Sequence, residues 1–514
     1  MNSIPSPALR GISLRSILPD ATPFKTDDLM VRSCCGSWAE CQTGDLFVAI
    51  VEADSDGHDH AQQAIINGAQ GIVTERLLAI DAPQFIVDDS RKALGKICQA
   101  LAGDPSSLIT TIGVGGTDGK TITSELISQV ISVAGGQATS STSLWPKGKP
   151  YLPPNELPND SSARIAKWLA NSVMDRASHA VLEINAQTIA AQQLHGSAFD
   201  ILVVTNIRRD ESAFERLDQT YQNLQARVLE YLKPQGMAVL NADDPNSQRL
   251  LDELQVPALT FGINQAAEIS AKIIERTLYD QTFVISAGHE SIVVSTQMIG
   301  VQHVYNCLAA TAVGLILGLE LTTIAKGLEA VGQIPGRLEA IHCGQNFNVL
   351  VDVATRSTPI ATAIHTARQH CGGPLWVLAS VDAQNSAQEA ERLGNILDKT
   401  ADHVVLAPRS SEVATNFEPF HRVLDGFASQ TKVRTMLNRC RGIEWLLQNC
   451  PAEGTVLILG AGDRPIAQIE NGERAITDRD VCEAWLEDRI SFCSPPPEVQ
   501  PMVFNIDDYR KKRR

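Results

Sequence analysis

The chain has 514 residues, 44% of them hydrophobic and 20% charged, with a formal net charge of −16. That length holds about three globular domains on a soft prior of roughly 150 residues each. The acidic excess argues against a nucleic-acid partner, and no apolar run reaches the ~18–20 residues of a membrane span.

From about Cys35 to Asp104 short apolar runs alternate with helical stretches. Gly44–Val51 reads as a strand, Ala61–Gly68 as a helix, and Gly71–Thr74 and Gln84–Asp88 as further strands. This predicts a small α/β domain over residues 1–107, closed by the turn Asp104-Pro-Ser-Ser107. Met1–Arg15 lacks the apolar core of a signal peptide, so a cytoplasmic protein is expected. The eleven cysteines fit that compartment as free thiols. Cys34, Cys35 and Cys41 form the one tight group, and without a second cluster at ligand spacing they read as small buried side chains rather than a zinc site.

The apolar stretch Leu108–Val114 runs into Gly113-Val-Gly-Gly-Thr-Asp-Gly-Lys-Thr121, and a helical pattern follows over Ser124–Val133. Strand, glycine turn, Lys-Thr and helix make a cradle for nucleotide phosphates. The glycines let backbone N–H groups close on an anion at the positive end of a helix. Lys120 is expected at the β/γ-phosphates and the Thr121 hydroxyl on Mg²⁺. Val114 stands where the strict motif has its first glycine, and a glycine turn without a ligand is the alternative.

Ala180–Ile184, Ile201–Thr205 and Ala238–Asn241 read as strands, with a helical pattern over Thr220–Leu232 between the last two. They predict a doubly wound central domain over residues 108–336. Glu183 falls at the carboxyl end of its strand, where open α/β sheets place ligands, and could bind Mg²⁺ beside Thr121 or be a surface carboxylate. Thr205-Asn-Ile-Arg-Arg-Asp-Glu211 and Asn241-Ala-Asp-Asp-Pro245 are two more polar strand edges. Residues 256–297 read as a meander and Val304–Leu317 as a helix. Gln333-Ile-Pro-Gly-Arg337 marks the next boundary, and Arg337 is either a phosphate clamp or a surface residue.

Phe347–Asp352, Pro374–Ala379, His403–Ala407 and Thr455–Gly460 are continuous apolar runs, which suit a parallel sheet buried on both faces. They predict a Rossmann-like domain over residues 337–490. Residues 491–514, with Pro495-Pro-Pro-Glu498 and the basic end Tyr509–Arg514, read as a solvated tail.

Taken in order, these residues resemble the Mur ligase family, in its UDP-N-acetylmuramoyl-tripeptide synthetase branch, over roughly residues 37–485. The likeness runs through Gly44-Asp-Leu-Phe-Val-Ala49, Asp56-Gly-His-Asp59, Gly68-Ala-Gln-Gly71, the phosphate loop, Glu183, Thr205-Asn206 and Arg209-Asp210. It continues through Asn241-Ala-Asp-Asp244, Asn306-Cys-Leu-Ala-Ala310, Pro335-Gly-Arg337, Pro408-Arg409 and Asp478-Arg479. It implies a three-domain α/β architecture with a central P-loop sheet. It also implies a reaction of peptidoglycan synthesis, in which ATP phosphorylates the terminal carboxylate of a UDP-muramoyl peptide and an amino acid's amine attacks the acyl phosphate. By resemblance, Gly116, Thr117, Asp118, Gly119, Lys120, Thr121, Asn306, Arg337 and Asp352 contact ATP, with Lys120 and Glu183 as the catalytic pair. Thr121 and Glu183 hold Mg²⁺, with Glu211 as a further ligand. Arg409 grips the amino acid's carboxylate, and Thr205 and Asn206 touch substrate. A monomer without nucleic-acid or membrane partners is implied.

The chain departs from the family pattern mainly at substrate and second-metal positions. The lysine that the family carbamylates aligns with Gln225, and the histidine after Arg-Asp is Glu211, still an oxygen ligand suited to a hard cation. Glu-Val-Ser-Ser-His is Glu183-Ile-Asn-Ala-Gln187, Asp-Ser-Arg is Ser37-Trp-Ala39, and Asp-Tyr-Ala-His is Asp352-Val-Ala-Thr355. Gly-Lys-Gly-His-Glu is Gly460-Ala-Gly-Asp-Arg464, with Ala461 at the lysine. The loop asparagine is Asp118, and the Asp-Asn before Pro-Arg is Leu406-Ala407. Three readings stay open: an amide ligase with altered metal chemistry or substrate, a degenerate paralogue that binds nucleotide as a regulatory or scaffold protein, and other P-loop chemistry such as a small-molecule kinase.

Overall fold

The computed structural model describes residues 11–52, 55–144, 162–207, 226–277, 279–383, 385–409, 417–429, 431–468 and 475–487. Their strands build sheets of five, nine and six strands in chain order, plus two small two-stranded ribbons.

The five-stranded sheet runs Thr22–Phe24, Gln84–Ile86, Gly71–Thr74, Leu46–Val48, Cys34–Cys35. Its last three pairings are parallel. Helix Ser90–Leu101 covers one face, opened by the Asp89 carboxylate accepting from Lys92 N at 2.9 Å. The same helix meets the next unit, where buried Gln99 Nε2 donates to Ser197 Oγ at 2.8 Å.

The nine-stranded sheet runs Glu290–Thr296, Gln281–Ala287, Ile269–Arg276, Ala258–Gly262, Leu232–Asn241, Phe199–Val204, Thr110–Gly115, His179–Glu183, Ala138–Ser141. All pairings are parallel except the two among the first three strands. The expected meander thus extends the doubly wound sheet. Thr110–Gly115 lies between strands that follow it in sequence, so the chain leaves it at a topological switch point, where α/β sheets open a crevice. Both faces are covered. Ile112, Val114, Val181, Val203 and Val239 pack on helices Lys120–Val133 and Val301–Ile316, and Leu182, Leu202, Val204 and Leu240 form the opposite core.

The helix expected over Thr220–Leu232 is seen from Ala226 onward: Ala226 is α-helical, Arg227–Tyr231 continue as a 3₁₀ helix, and Leu232 already opens a strand. Pro234 supplies the reason, because the residue before a proline is pushed out of the α region.

The six-stranded sheet runs Glu339–Ile341, Asn348–Asp352, Thr455–Leu459, Leu375–Val381, His403–Pro408, Val433–Thr435, parallel except at the first pair. Separate hydrophobic clusters line its two faces, as continuous apolar strands require. No helix among the described residues is long and apolar enough to cross a membrane.

Candidate functional site

The phosphate loop follows strand Thr110–Gly115. Gly116 and Gly119 have φ of +127° and +83°, a region that L side chains avoid. A Cβ on Gly116 would strike Thr205 Oγ1, and one on Gly119 would strike Asn306 Oδ1. The left-handed Gly119 caps helix Lys120–Val133, which therefore begins at Lys120 rather than Ser124. Lys120 Nζ donates to the carbonyls of Gly116 (3.0 Å) and Thr117 (2.9 Å), so its charge stays over the loop.

Thr205 and Asn206, expected at substrate, are buried and hold the loop instead. Thr205 Oγ1 donates to Asp118 O at 2.6 Å. The Asn206 amide donates to Asp118 O and accepts from Asp118 N, each at 3.0 Å, and Asn206 O accepts from Thr117 N at 2.9 Å. Asn241 in turn donates to Thr205 O at 3.0 Å. The polar edges read from the sequence thus become a scaffold that fixes the backbone of the anion cradle.

Beside the loop, Thr121 Oγ1 donates to Glu183 Oε2 at 2.9 Å and lies 3.0 Å from Ser143 Oγ. Ser143 N donates to the same carboxylate oxygen at 2.8 Å. A hydroxyl from the first turn of helix Lys120–Val133 and a carboxylate from the end of strand His179–Glu183 make an oxygen donor pair suited to a hard divalent cation. Ser143 was not singled out in the sequence, since its Ser/Thr-rich run carries no motif. Glu125, one helical turn after Thr121, was also missed; it accepts from Thr142 and Ser140, and burial raises its carboxyl pKa. Glu211 and Gln225 lie outside the described residues.

A cleft of about 480 Å³ opens in front of the loop, bounded across from it by the six-stranded sheet. Asn306, Arg337 and Asp352 line it together with Gly116–Thr121. Asn306 is 1% exposed, and its Nδ2 has no partner among the described residues. A buried, unpaired amide donor at the mouth of an anion cradle fits a nucleotide acceptor atom. Arg337 Nη1 donates to Asp463 Oδ1 at 3.0 Å. Asp352 accepts from the backbone amides of Leu338 and Ala354, each at 2.8 Å, while burial pushes its carboxyl pKa up. Asp352 therefore fastens the strand end to the boundary loop.

Arg409 directly follows strand His403–Pro408 and lies outside the cleft lining. Its pKa is lowered by burial and then by the charge of Arg464. Arg464 itself lines the cleft. The loop glycines, the Thr121–Glu183 pair and the orphaned Asn306 amide all fit a nucleotide polyphosphate with a divalent cation.

Comparison with known proteins places these features. Residues 114–314 match the Mur ligase middle domain, and residues 336–462 match the Mur ligase glutamate ligase domain. A UDP-N-acetylmuramoyl-L-alanyl-D-glutamate–2,6-diaminopimelate ligase of Geobacillus thermodenitrificans is 30% identical over 466 residues, covering 87% of this chain and 93% of the relative. The solved structure of a ligase of that name aligns with a TM-score of 0.64 at 20% identity, over 93% of this chain and 99% of the other. A MurF ligase from Thermotoga maritima in complex with ADP aligns with a TM-score of 0.60 at 18% identity, over 90% and 99%. The identity and coverage of the Geobacillus relative, on top of a phosphate loop at the switch point of a matching fold, make this chain a member of the Mur ligase family.

Proposed function

We propose that this chain uses ATP to join an amino acid to the terminal carboxylate of a UDP-N-acetylmuramoyl peptide, a step of peptidoglycan synthesis. The observation that carries the reading is the Thr121–Glu183 pair, 2.9 Å apart beside the loop, in a chain whose relatives are ligases of this kind. Gly116, Thr117, Asp118, Gly119, Lys120, Thr121, Asn306, Arg337 and Asp352 form the nucleotide site. Thr121 and Glu183 would hold Mg²⁺, with Glu211 as a candidate further ligand. The cation would neutralise phosphate charge while ATP supplies the phosphoryl group that activates the carboxylate. Lys120 keeps positive charge over the phosphates, and the cleft walls keep water from the activated acid. Arg409 takes the incoming carboxylate in a charge-assisted pair, while Thr205 and Asn206 position the loop.

The three sheets support domains at 1–107, 108–336 and 337–490, and the reading is of a cytoplasmic monomer. ADP release with and without UDP-muramoyl-dipeptide and a panel of amino acids tests the activity. Release that requires both substrates, and is lost in Lys120→Ala, is the expected result. Tight nucleotide binding with no turnover on any acceptor would make the chain a scaffold, and phosphorylation of an acceptor without an amine would make it a kinase.

A further inference from the structure

Four strand ends of the six-stranded sheet lie along one edge, and two of them reach the cleft in front of the phosphate loop. Asn348–Asp352, Thr455–Leu459, Leu375–Val381 and His403–Pro408 are parallel neighbours, so Asp352, the loop from Gly460, Asp382 and Arg409 share one carboxyl edge. The Gly460–Arg464 loop is fixed there. Gly460 N donates to Asp352 O at 2.9 Å, and Arg464 N donates to Ala461 O at 3.0 Å. Two successive side chains then take different directions. The Asp463 carboxylate pairs with Arg337, whereas Arg464 lines the cleft with Lys120, Thr121 and Ser143.

The Arg464 guanidinium is half-buried and, among the described residues, has no hydrogen bond or ion pair. Burial lowers its pKa, and the charges it senses are Asp463, Arg337 and Glu183. Glu183 is the carboxylate beside Thr121, so Arg464 reaches the field of the phosphate end of the cleft. Of the acids near it, Asp463 is engaged by Arg337, and Glu183 already accepts from Thr121 and Ser143. A partly desolvated cation whose nearby acids are engaged elsewhere, facing an anion cradle from the opposite wall, is arranged for a ligand's negative charge.

We propose that Arg464 is a catalytic residue of the phosphoryl-transfer step, an arginine supplied across the cleft to the group in flight. The inference rests on the ligase reading above. In that step the bond between the γ-phosphorus and the β,γ-bridging oxygen breaks, and ADP leaves with its electron pair. A carboxylate oxygen of the peptide forms the new P–O bond, and no proton is exchanged. Charge spreads over the equatorial oxygens of the passing phosphoryl, and a bidentate guanidinium on those oxygens stabilises it.

The test compares wild type with Arg464→Gln and Arg464→Lys by calorimetric titration of Mg–ADP, alone and with aluminium fluoride as a mimic of the transferring phosphoryl. This readout needs no acceptor, so it stands or falls apart from the ligase assignment. The expected result for Arg464→Gln is Mg–ADP affinity within about threefold of wild type and at least a tenfold loss of affinity for the aluminium fluoride complex, with Arg464→Lys between the two. If the ligase reading holds, kcat falls at least about 100-fold with the amino-acid KM unchanged, and added guanidinium ion restores part of it in Arg464→Ala. Equal binding of the fluoride complex by wild type and Arg464→Gln overturns the proposal. So does a rise confined to the amino-acid KM, which would make Arg464 a contact of the amine donor.

Discussion

Thr121 Oγ1 and Ser143 N converge on one oxygen of Glu183, at 2.9 and 2.8 Å. The carboxylate is thereby aimed from the strand end toward the start of helix Lys120–Val133. Replacing Glu183 with glutamine keeps the shape and removes the charge. Nucleotide affinity in EDTA should stay near wild type, while the gain on adding Mg²⁺ disappears and ADP release falls by about 10- to 100-fold or more. Calorimetry with and without the metal checks this, and an unaltered Mg²⁺ effect would remove Glu183 from the metal site.

Asn306 carries an amide donor that is unpaired among the described residues. Asn306→Leu relieves that unsatisfied group, so the melting temperature should hold or rise, while nucleotide affinity drops by about tenfold. A fall in stability with no change in affinity would show a purely structural side chain.

Arg409 is expected to act on the amine donor. Arg409→Ala should raise the KM for the amino acid by about tenfold or more, consistent with loss of one charge-assisted pair, with little change in the KM for ATP. Steady-state kinetics with each substrate varied in turn gives the answer, and an unchanged amino-acid KM discards the role.

His303 is buried, and that burial lowers its pKa from 6.5 to about 3. The native state keeps the imidazole neutral while the unfolded chain takes up a proton below about pH 6.5. The unfolded state then binds more protons, so this stability is present above pH 6.5 and is lost as pH falls toward 3. Between pH 7 and 5.5 the wild type should lose about 1 kcal/mol more than His303→Leu. Urea unfolding at several pH values measures the difference, and parallel pH profiles would refute it.

Arg439 and Asp478 are both fully buried and joined by two hydrogen bonds of 2.7 Å, with Ser380 Oγ accepting a third from Arg439 at 2.7 Å. Arg439→Met alone strands a buried carboxylate and should destabilise the protein by about 3–5 kcal/mol. Adding Asp478→Leu should recover much of that loss. Denaturant unfolding of the two variants checks the order, and equal stability would show that the lone Asp478 finds water.

Local signals carried most of the architecture. Continuous apolar runs placed the four central strands of the six-stranded sheet, and the glycine run placed the anion cradle at the switch point. Helix ends were less legible, because Gly119 sets the start by its left-handed backbone while periodicity responds only to the apolar positions after it. Within the site, single-residue chemistry singled out Lys120, Thr121 and Glu183. Thr205 and Asn206 were read as substrate contacts because polar residues after a strand suit either task; only the fold shows them turned inward on Asp118. The pairs Arg337–Asp463 and Arg439–Asp478 join residues too distant in the chain for any pattern to connect.

The different partners of Asp463 and Arg464 make the spacing of that turn matter more than its composition. Removing a single residue between Gly460 and Asp463 would bring Arg464 to the place that faces Arg337 and Pro465 to the place in the cleft. Arg337 would lose its counter-ion and meet a like charge, and the cleft would lose a guanidinium. Changes in length here should therefore be far less tolerated than changes of side chain at Ala461.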